Sequence, residues 1–358
     1  MEELIMRRTN ALIIALCIWI TFLTGCSAYD IKHSLPTANI VTESTEPYSQ
    51  FFGTTTILFS DGQDAILIDG FFTRQGLTSH WRHGMTSNRS LINKAIDNIE
   101  VEKVDSVFVS HSHFDHAMDS GIVADQLRAT LYGSEKTLSF TPNYVNKAVI
   151  TPGKRLKINE KFFVTAFETP HAEKCEALAN IEAFITRKLG GEQYLDADKV
   201  YSFYVELDNM RILVIPSSGL GRDDLPKGLK ADVVFLGIGL LSRQMPKPSS
   251  DSAEISESYI ENYWKHAVTA TEASLVIPIH FDNFTQPLRN QIPVTPNIID
   301  NIEWTMSQLC ALAIDSASAI SDKVKIAFPP AIAPFHLDQA QSVSFLTTQM
   351  ACKQTIDE

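Results

Sequence analysis

Val107-Phe108-Val109-Ser110-His111-Ser112-His113-Phe114-Asp115-His116 joins an apolar, β-prone run directly to four side chains that can bind metal. A strand that ends in a turn delivers its last residues to one rim of a sheet, so three imidazoles and a carboxylate can converge without a helical scaffold. His111 and His113 alternate to one side. Asp115 and His116 lie past the turn, within reach of a second ion. Imidazole and carboxylate together suit zinc, or manganese or iron where oxygen ligands dominate.

Outward from this stretch, other apolar runs also end in ligand-type residues. Residues 53–59 and 65–68 read as strands joined through the turn signal Ser60-Asp61-Gly62, and the second stops at Asp69. Phe162 to Phe167 is a strand that Pro170 closes, leaving His171 at its tip. Leu275 to Ile279 is a strand that ends at His280. Between these lie a short helix over 91–99, a helix over 121–127 and a strand over 129–132. A hairpin over 201–207 and 211–215, a buried strand over 231–236 and a helix over 254–266 complete the pattern. Strands alternating with helices in both halves predict an α/β fold of two mixed sheets covered by helices.

Strand tips at Asp69, His111 to His116, His171 and His280, in that order, resemble the metallo-β-lactamase superfamily, a four-layer αββα sandwich of hydrolases. The stretch from Asp232 through Gly237 and Gly239 to Pro278-Ile279-His280-Phe281 is most similar to the branch of L-ascorbate-6-phosphate lactonase and the N-acylphosphatidylethanolamine phospholipase D enzymes. The resemblance implies that His111, His113 and His171 hold a first metal and that Asp115, His116 and His280 hold a second. It places Asp69 behind a ligand imidazole, where a carboxylate fixes the tautomer. The chain departs from the family at Ser217-Ser218, where a Gly-Asp pair usually supplies a carboxylate bridging both metals. One ion or two therefore stays open, with Ser218 expected behind the ligands and Asp223 or Asp224 as substitutes for the missing carboxylate.

The chemistry so implied is hydrolysis: three histidines leave an open position where bound water ionises near neutral pH and attacks an ester, lactone or phosphodiester. Asp115 is the expected catalytic carboxylate, orienting that water and carrying its proton. His80, Trp81 and His83, in a polar segment over 74–90 too irregular for a core element, are candidates to line the substrate mouth or simply a solvated loop. Phe281 follows a ligand directly and either shapes the pocket or fills core. The alternative function is a non-catalytic metal- or ligand-binding lipoprotein on a degenerate version of the same fold.

Composition bounds the rest. Of 358 residues, 44% are hydrophobic and 20% charged, an ordinary globular balance. A net charge of -12 with no run of Lys and Arg excludes a nucleic-acid partner driven by phosphate contacts. Arg7 and Arg8 precede an apolar run from Ala11 to Leu23, the layout of an export signal. Leu23-Thr24-Gly25-Cys26 resembles the bacterial lipobox, which implies cleavage before Cys26 and a lipidated thiol. An uncleaved anchor helix is the other reading. The expected layout is a signal over 1–25, a tether over 26–50, and a hydrolase domain over 51–329 with an insertion over 172–199 that carries a helix. A tail over 330–358 follows. Such a protein sits in the bacterial cell envelope, membrane-anchored and facing a small-molecule or lipid substrate. Cys175, Cys310 and Cys352 are then three thiols, an odd number that implies no disulfide framework, and each is expected free or buried.

Overall fold

The computed structural model describes residues 37–38, 47–99, 101–172, 176–244, 259–288, 292–316, 324–337 and residue 352. The expected signal, Cys26 and most of the tether lie outside these residues, as do Cys175 and the first half of the helix expected over 254–266. Among the described residues no helix is long and apolar enough to cross a membrane.

Among the described residues, fourteen strands form two seven-stranded sheets. In chain order they are β1 (Tyr48–Phe51), β2 (Ile57–Ser60), β3 (Asp64–Ile68), β4 (Lys103–Phe108), β5 (Thr130–Gly133), β6 (Lys147–Val149) and β7 (Arg155–Lys157). Then come β8 (Phe162–Glu168), β9 (Tyr201–Leu207), β10 (Met210–Ile215), β11 (Val233–Gly237), β12 (Leu275–Ile279), β13 (Lys325–Ile326) and β14 (Pro334–Phe335). The first sheet runs β14-β1-β2-β3-β4-β5-β6 and the second β13-β12-β11-β10-β9-β8-β7. Strands β1 and β14, paired antiparallel, flank the span from 51 to 329 on its two sides.

Strand alternation builds the layers. Ile57, Phe59, Ile66 and Ile68 of the first sheet face Phe203, Val205, Ile212, Val214, Val233 and Phe235 of the second in one central core. Their neighbours point outward: Leu58 and Leu67 pack under the helix that holds Val123 and Ala124, while Leu213, Val234 and Leu236 pack under Tyr263, Trp264, Met306 and Leu309. Helix, sheet, sheet, helix is the four-layer sandwich expected from the sequence.

Strands β3, β4, β5 and β6 are parallel, and so are β10, β11 and β12. β8 shares their direction, because both it and β10 run antiparallel to β9. The carboxyl ends of β3 and β4 in one sheet, and of β8, β10, β11 and β12 in the other, carry the residues singled out above. In α/β sheets this is the end where ligands bind.

Several expectations need correction. The segment over 74–90 is not wholly irregular, for Leu77–His83 is a helix and another starts at Arg89, where the Asn88 side chain accepts from the Ser90 and Leu91 backbone N–H groups. Gly53 to Thr56 is a tight turn between β1 and β2 rather than the start of a strand; Gly53 (φ 90°) and Thr54 (φ 53°) both adopt left-handed backbone. The helix Ile302–Ser316 is not among the elements expected from the sequence. Cys310, in that helix, and Cys352 are not free thiols but form a disulfide, with Cα atoms 5.2 Å apart. An odd count excludes pairing of all three cysteines, not of two.

Candidate metal centre

Buried strand ends from both sheets bring six donors together as two triads: His111, His113 and His171, and Asp115, His116 and His280. Within each triad the candidate ligand atoms lie within 4.8 Å of one another. His111 joins the two, its ring centroid 4.0 Å from that of His116 and 5.0 Å from that of His171.

The first triad is held by backbone and hydroxyl groups. Ser110 Oγ lies 3.1 Å from His111 Nδ1, so the Nε2 atom faces the cluster, 3.0 Å from His113 Nδ1. That spacing is close to the roughly 3.3 Å edge of a tetrahedron with zinc–nitrogen bonds of about 2.0 Å. His171 Nδ1 donates to the Ala172 carbonyl at 2.8 Å, which leaves Nε2 as its donor atom. Burial, then the imidazoles of His116, His113, His171 and His280, hold the His111 pKa well below the usual histidine value. The ring is therefore neutral, the state in which imidazole binds a metal. These donors fit a divalent cation.

The second triad centres on Asp115. Its Oδ2 is 3.4 Å from His280 Nε2 and 3.6 Å from His116 Nε2. Burial pushes this carboxyl up, but the facing imidazoles of His116, His280 and His113 prevail and hold it well below the usual carboxylate range. Asp69 stands directly behind. It accepts from Ser110 N (2.7 Å), Ser110 Oγ (3.0 Å), Thr55 Oγ1 and His116 Nδ1 (2.8 Å), fixing the His116 tautomer with Nε2 toward Asp115. Phe114 and Phe284, partly buried, pack edge to face 5.6 Å apart, and Phe284 lies 6.5 Å from His280. They give the site an aromatic flank.

Ser218 is tied to its neighbours on both its side chain and its backbone. Its Oγ donates to the Gly239 carbonyl at 3.1 Å, and its own carbonyl accepts from Tyr259 Oη at 2.9 Å. Ser217 presents a buried Oγ with no partner among the described residues. Neither aspartate takes the vacant role, since Asp224 accepts from Gly221 N and Asp223 is exposed.

The candidate mouth residues separate. Trp81 is 60% exposed and His83 is exposed, both on the short helix Leu77–His83. His80 on that helix is buried, its Nδ1 3.4 Å from the Gly84 carbonyl and its pKa lowered by burial, so it does not line a solvent-facing mouth. Phe281 is likewise not a pocket wall: it is fully buried against Phe51 and Phe328, 6.3 Å and 5.0 Å between ring centroids. Thr55, Ser110, Arg74 and Asp282 were missed. The run Gly53-Thr54-Thr55-Thr56, polar inside an apolar stretch, was the signal that could have found the first of them.

No curated protein matches the chain in sequence. Solved structures similar in fold include the metallo-β-lactamase fold protein YhfI of Bacillus subtilis, 15% identical, covering 81% of this chain and 99% of that one with a TM-score of 0.45. The metallo hydrolase Igni18 of Ignicoccus hospitalis is 16% identical over 81% of this chain and 99% of that one (TM-score 0.42). Zn(2+)-bound PqqB of Methylobacterium extorquens is 12% identical over 79% and 87% (TM-score 0.42). Residues 64–281, more than half of the 358, match the model of the beta-lactamase superfamily domain, and the chain belongs to that superfamily.

Proposed function

We propose that this chain is a metal-dependent hydrolase of an ester, lactone or phosphodiester. The observation that carries the reading is the convergence of five imidazoles and one carboxylate, from both sheets, into two triads. His111, His113 and His171 would hold one divalent cation, with Asp115, His116 and His280 as the ligands for a second; zinc suits this donor set best. A bound cation of this kind supplies Lewis acidity and lowers the pKa of water toward neutrality.

The chain's own groups do the rest. Asp115, ionised and buried, is placed to orient a reacting water by accepting its hydrogen bond at Oδ2. Asp69 and Ser110 keep the imidazoles in one orientation, so little reorganisation accompanies reaction. Phe114 and Phe284 limit water at the flank and offer an apolar surface to a substrate. A lipid substrate, as in the phospholipase-like branch, suits that surface and the expected anchor.

Export and lipidation at Cys26 form part of the same proposal. The Cys310–Cys352 disulfide supports it, since such bonds persist in oxidising compartments and are rare in the cytosol. Dialysis of the purified chain against a strong chelator is expected to abolish turnover of generic ester and phosphodiester substrates, with zinc or manganese restoring it. Full activity after verified metal removal would defeat the reading. The Ser217-Ser218 departure favours one alternative, a lipoprotein that binds metal without hydrolysis; it requires that His113→Ala alter metal uptake while no substrate is turned over by either protein.

A further inference from the structure

Arg74 belongs to neither triad, yet it is buried and its guanidinium is bound by several groups. It pairs with Asp282 (Nη2 to Oδ2, 2.6 Å) and donates from Nη2 to the Asn283 carbonyl (3.0 Å), from Nε to the Gln286 carbonyl (3.0 Å) and from Nη1 to Thr54 Oγ1 (3.4 Å). Asp282 in turn accepts the Thr54 backbone N–H at 2.8 Å. The Thr54 carbonyl accepts the backbone N–H of His280 at 2.8 Å. One residue on, Thr55 Oγ1 donates to Asp69 and lies 2.8 Å from His116 Nδ1.

The turn at Gly53 to Thr55 thus grips the backbone of one imidazole of the second triad and backs the ring of the other. Thr54 (φ 53°) and His280 (φ 60°) both lie in left-handed backbone, which costs a non-glycine residue energy and persists only where surroundings enforce it. Arg74 and Asp282 are those surroundings. Gly53 completes the fit, because a Cβ there would fall on Arg74 Nη1. The contacts that brace the first triad lie elsewhere: Ser110 stands beside His111, and the Ala172 carbonyl accepts from His171. The clamp reaches it only at one remove, through Asp69 and Ser110.

We propose that Arg74, with Asp282, is a positioning residue that sets the affinity of the second triad for a divalent cation while leaving the first largely untouched. The inference rests on the metal-dependent reading above. It divides two sites of similar donor count by what stands behind them, and it assigns that control to a residue remote from the ligands.

The test is a titration of the full, metal-stripped chain with Zn2+ in competition with a chelating dye, with bound equivalents counted by elemental analysis. Wild type is expected to bind two equivalents in two affinity classes. Arg74→Lys keeps the charge but loses the planar fork. It should weaken the second class about 10- to 100-fold, the usual consequence of removing a group that orients ligands, and change the first less than about threefold. Thr55→Val, which removes the hydroxyl behind Asp69 and His116, is expected to show the same selectivity and decides the matter if Arg74→Lys does not fold. Equal weakening of both classes, no weakening, or a wild type that binds a single equivalent overturns the proposal. A wild type that binds no Zn2+ at all overturns the metal-dependent reading itself.

Discussion

A ligand imidazole is only as well placed as the atom that holds its other nitrogen. His116 has the carboxylate of Asp69 there, and Asp69→Ala is expected to cost about 10- to 100-fold in metal affinity, read by competition with a chelating dye. Tyr201 poses the opposite case. Its buried hydroxyl has no partner among the described residues, and burial, with Glu168, Asp198 and Glu135 nearby, pushes its pKa up to about 12. A raised folded pKa means that the native state keeps its proton longer, so stability is present below about pH 10 and lost as pH rises toward 12. Tyr201→Phe should raise stability by about 1 kcal/mol, since it removes an unsatisfied buried group, and should flatten the alkaline fall. Urea melts at pH 8 and pH 11 check both; a variant that is less stable at pH 8 shows that the hydroxyl has a partner. At this scale the candidate ligands were legible because residue type, adjacency and strand ending coincide at His111 to His116. Of the two readings open for Phe281, the core one holds: it follows His280, but its ring enters the core beside Phe51 and Phe328.

Elements carry constraints that single residues do not. Gly239, just past β11, packs against the tip of β12: a Cβ there would lie 2.6 Å from the His280 carbonyl oxygen and 2.9 Å from His280 Nδ1. Gly239→Ala is therefore expected to push His280 out of register, with a cost of about 1–3 kcal/mol typical of overpacking and the loss of the second bound equivalent. Thermal melts and elemental analysis of the same sample separate the two effects. The helix Ile302–Ser316 covers the second sheet and is tied to Cys352, 42 residues after Cys310. Chain entropy puts the stabilisation by a loop of that length at about 4 kcal/mol. Cys310→Ser should lower stability by about 2–4 kcal/mol, and reduction of wild type should match it; a variant as stable as wild type shows that the pair is not formed in the native protein. Long strands such as Tyr201–Leu207 were readable from alternation, whereas two-residue strands such as Lys325–Ile326 and Pro334–Phe335 carry no period to read. Leu77–His83 escaped because no acidic residue or capping side chain marks its start.

For the molecule as a whole, the first triad joins one sheet to the other: His111 and His113 follow β4, His171 follows β8. A cation held there would be a cross-link between layers, and its binding energy would add to folding energy in proportion to the logarithm of its excess over the dissociation constant. The metal-free chain has a specific weakness. His111 resists protonation when folded, because burial and four neighbouring imidazoles disfavour its charged form, whereas the unfolded ring protonates near the ordinary value of about 6.5. Below that pH the unfolded state binds more protons than the native state, so stability must fall as pH falls, and it is recovered above pH 7. On the proposed metal-dependent reading, added metal is expected to move the melt upward at pH 7.5 and to lose its hold as the imidazoles protonate, which would steepen the acid side further. Calorimetric melts from pH 8 to pH 5, with chelator and with Zn2+, should therefore give two curves that both descend toward acid and converge there. A metal-free midpoint that stays level across this range shows that His111 takes up a proton without penalty in the native state, and with it goes the packed, neutral imidazole cluster on which the proposed metal binding rests.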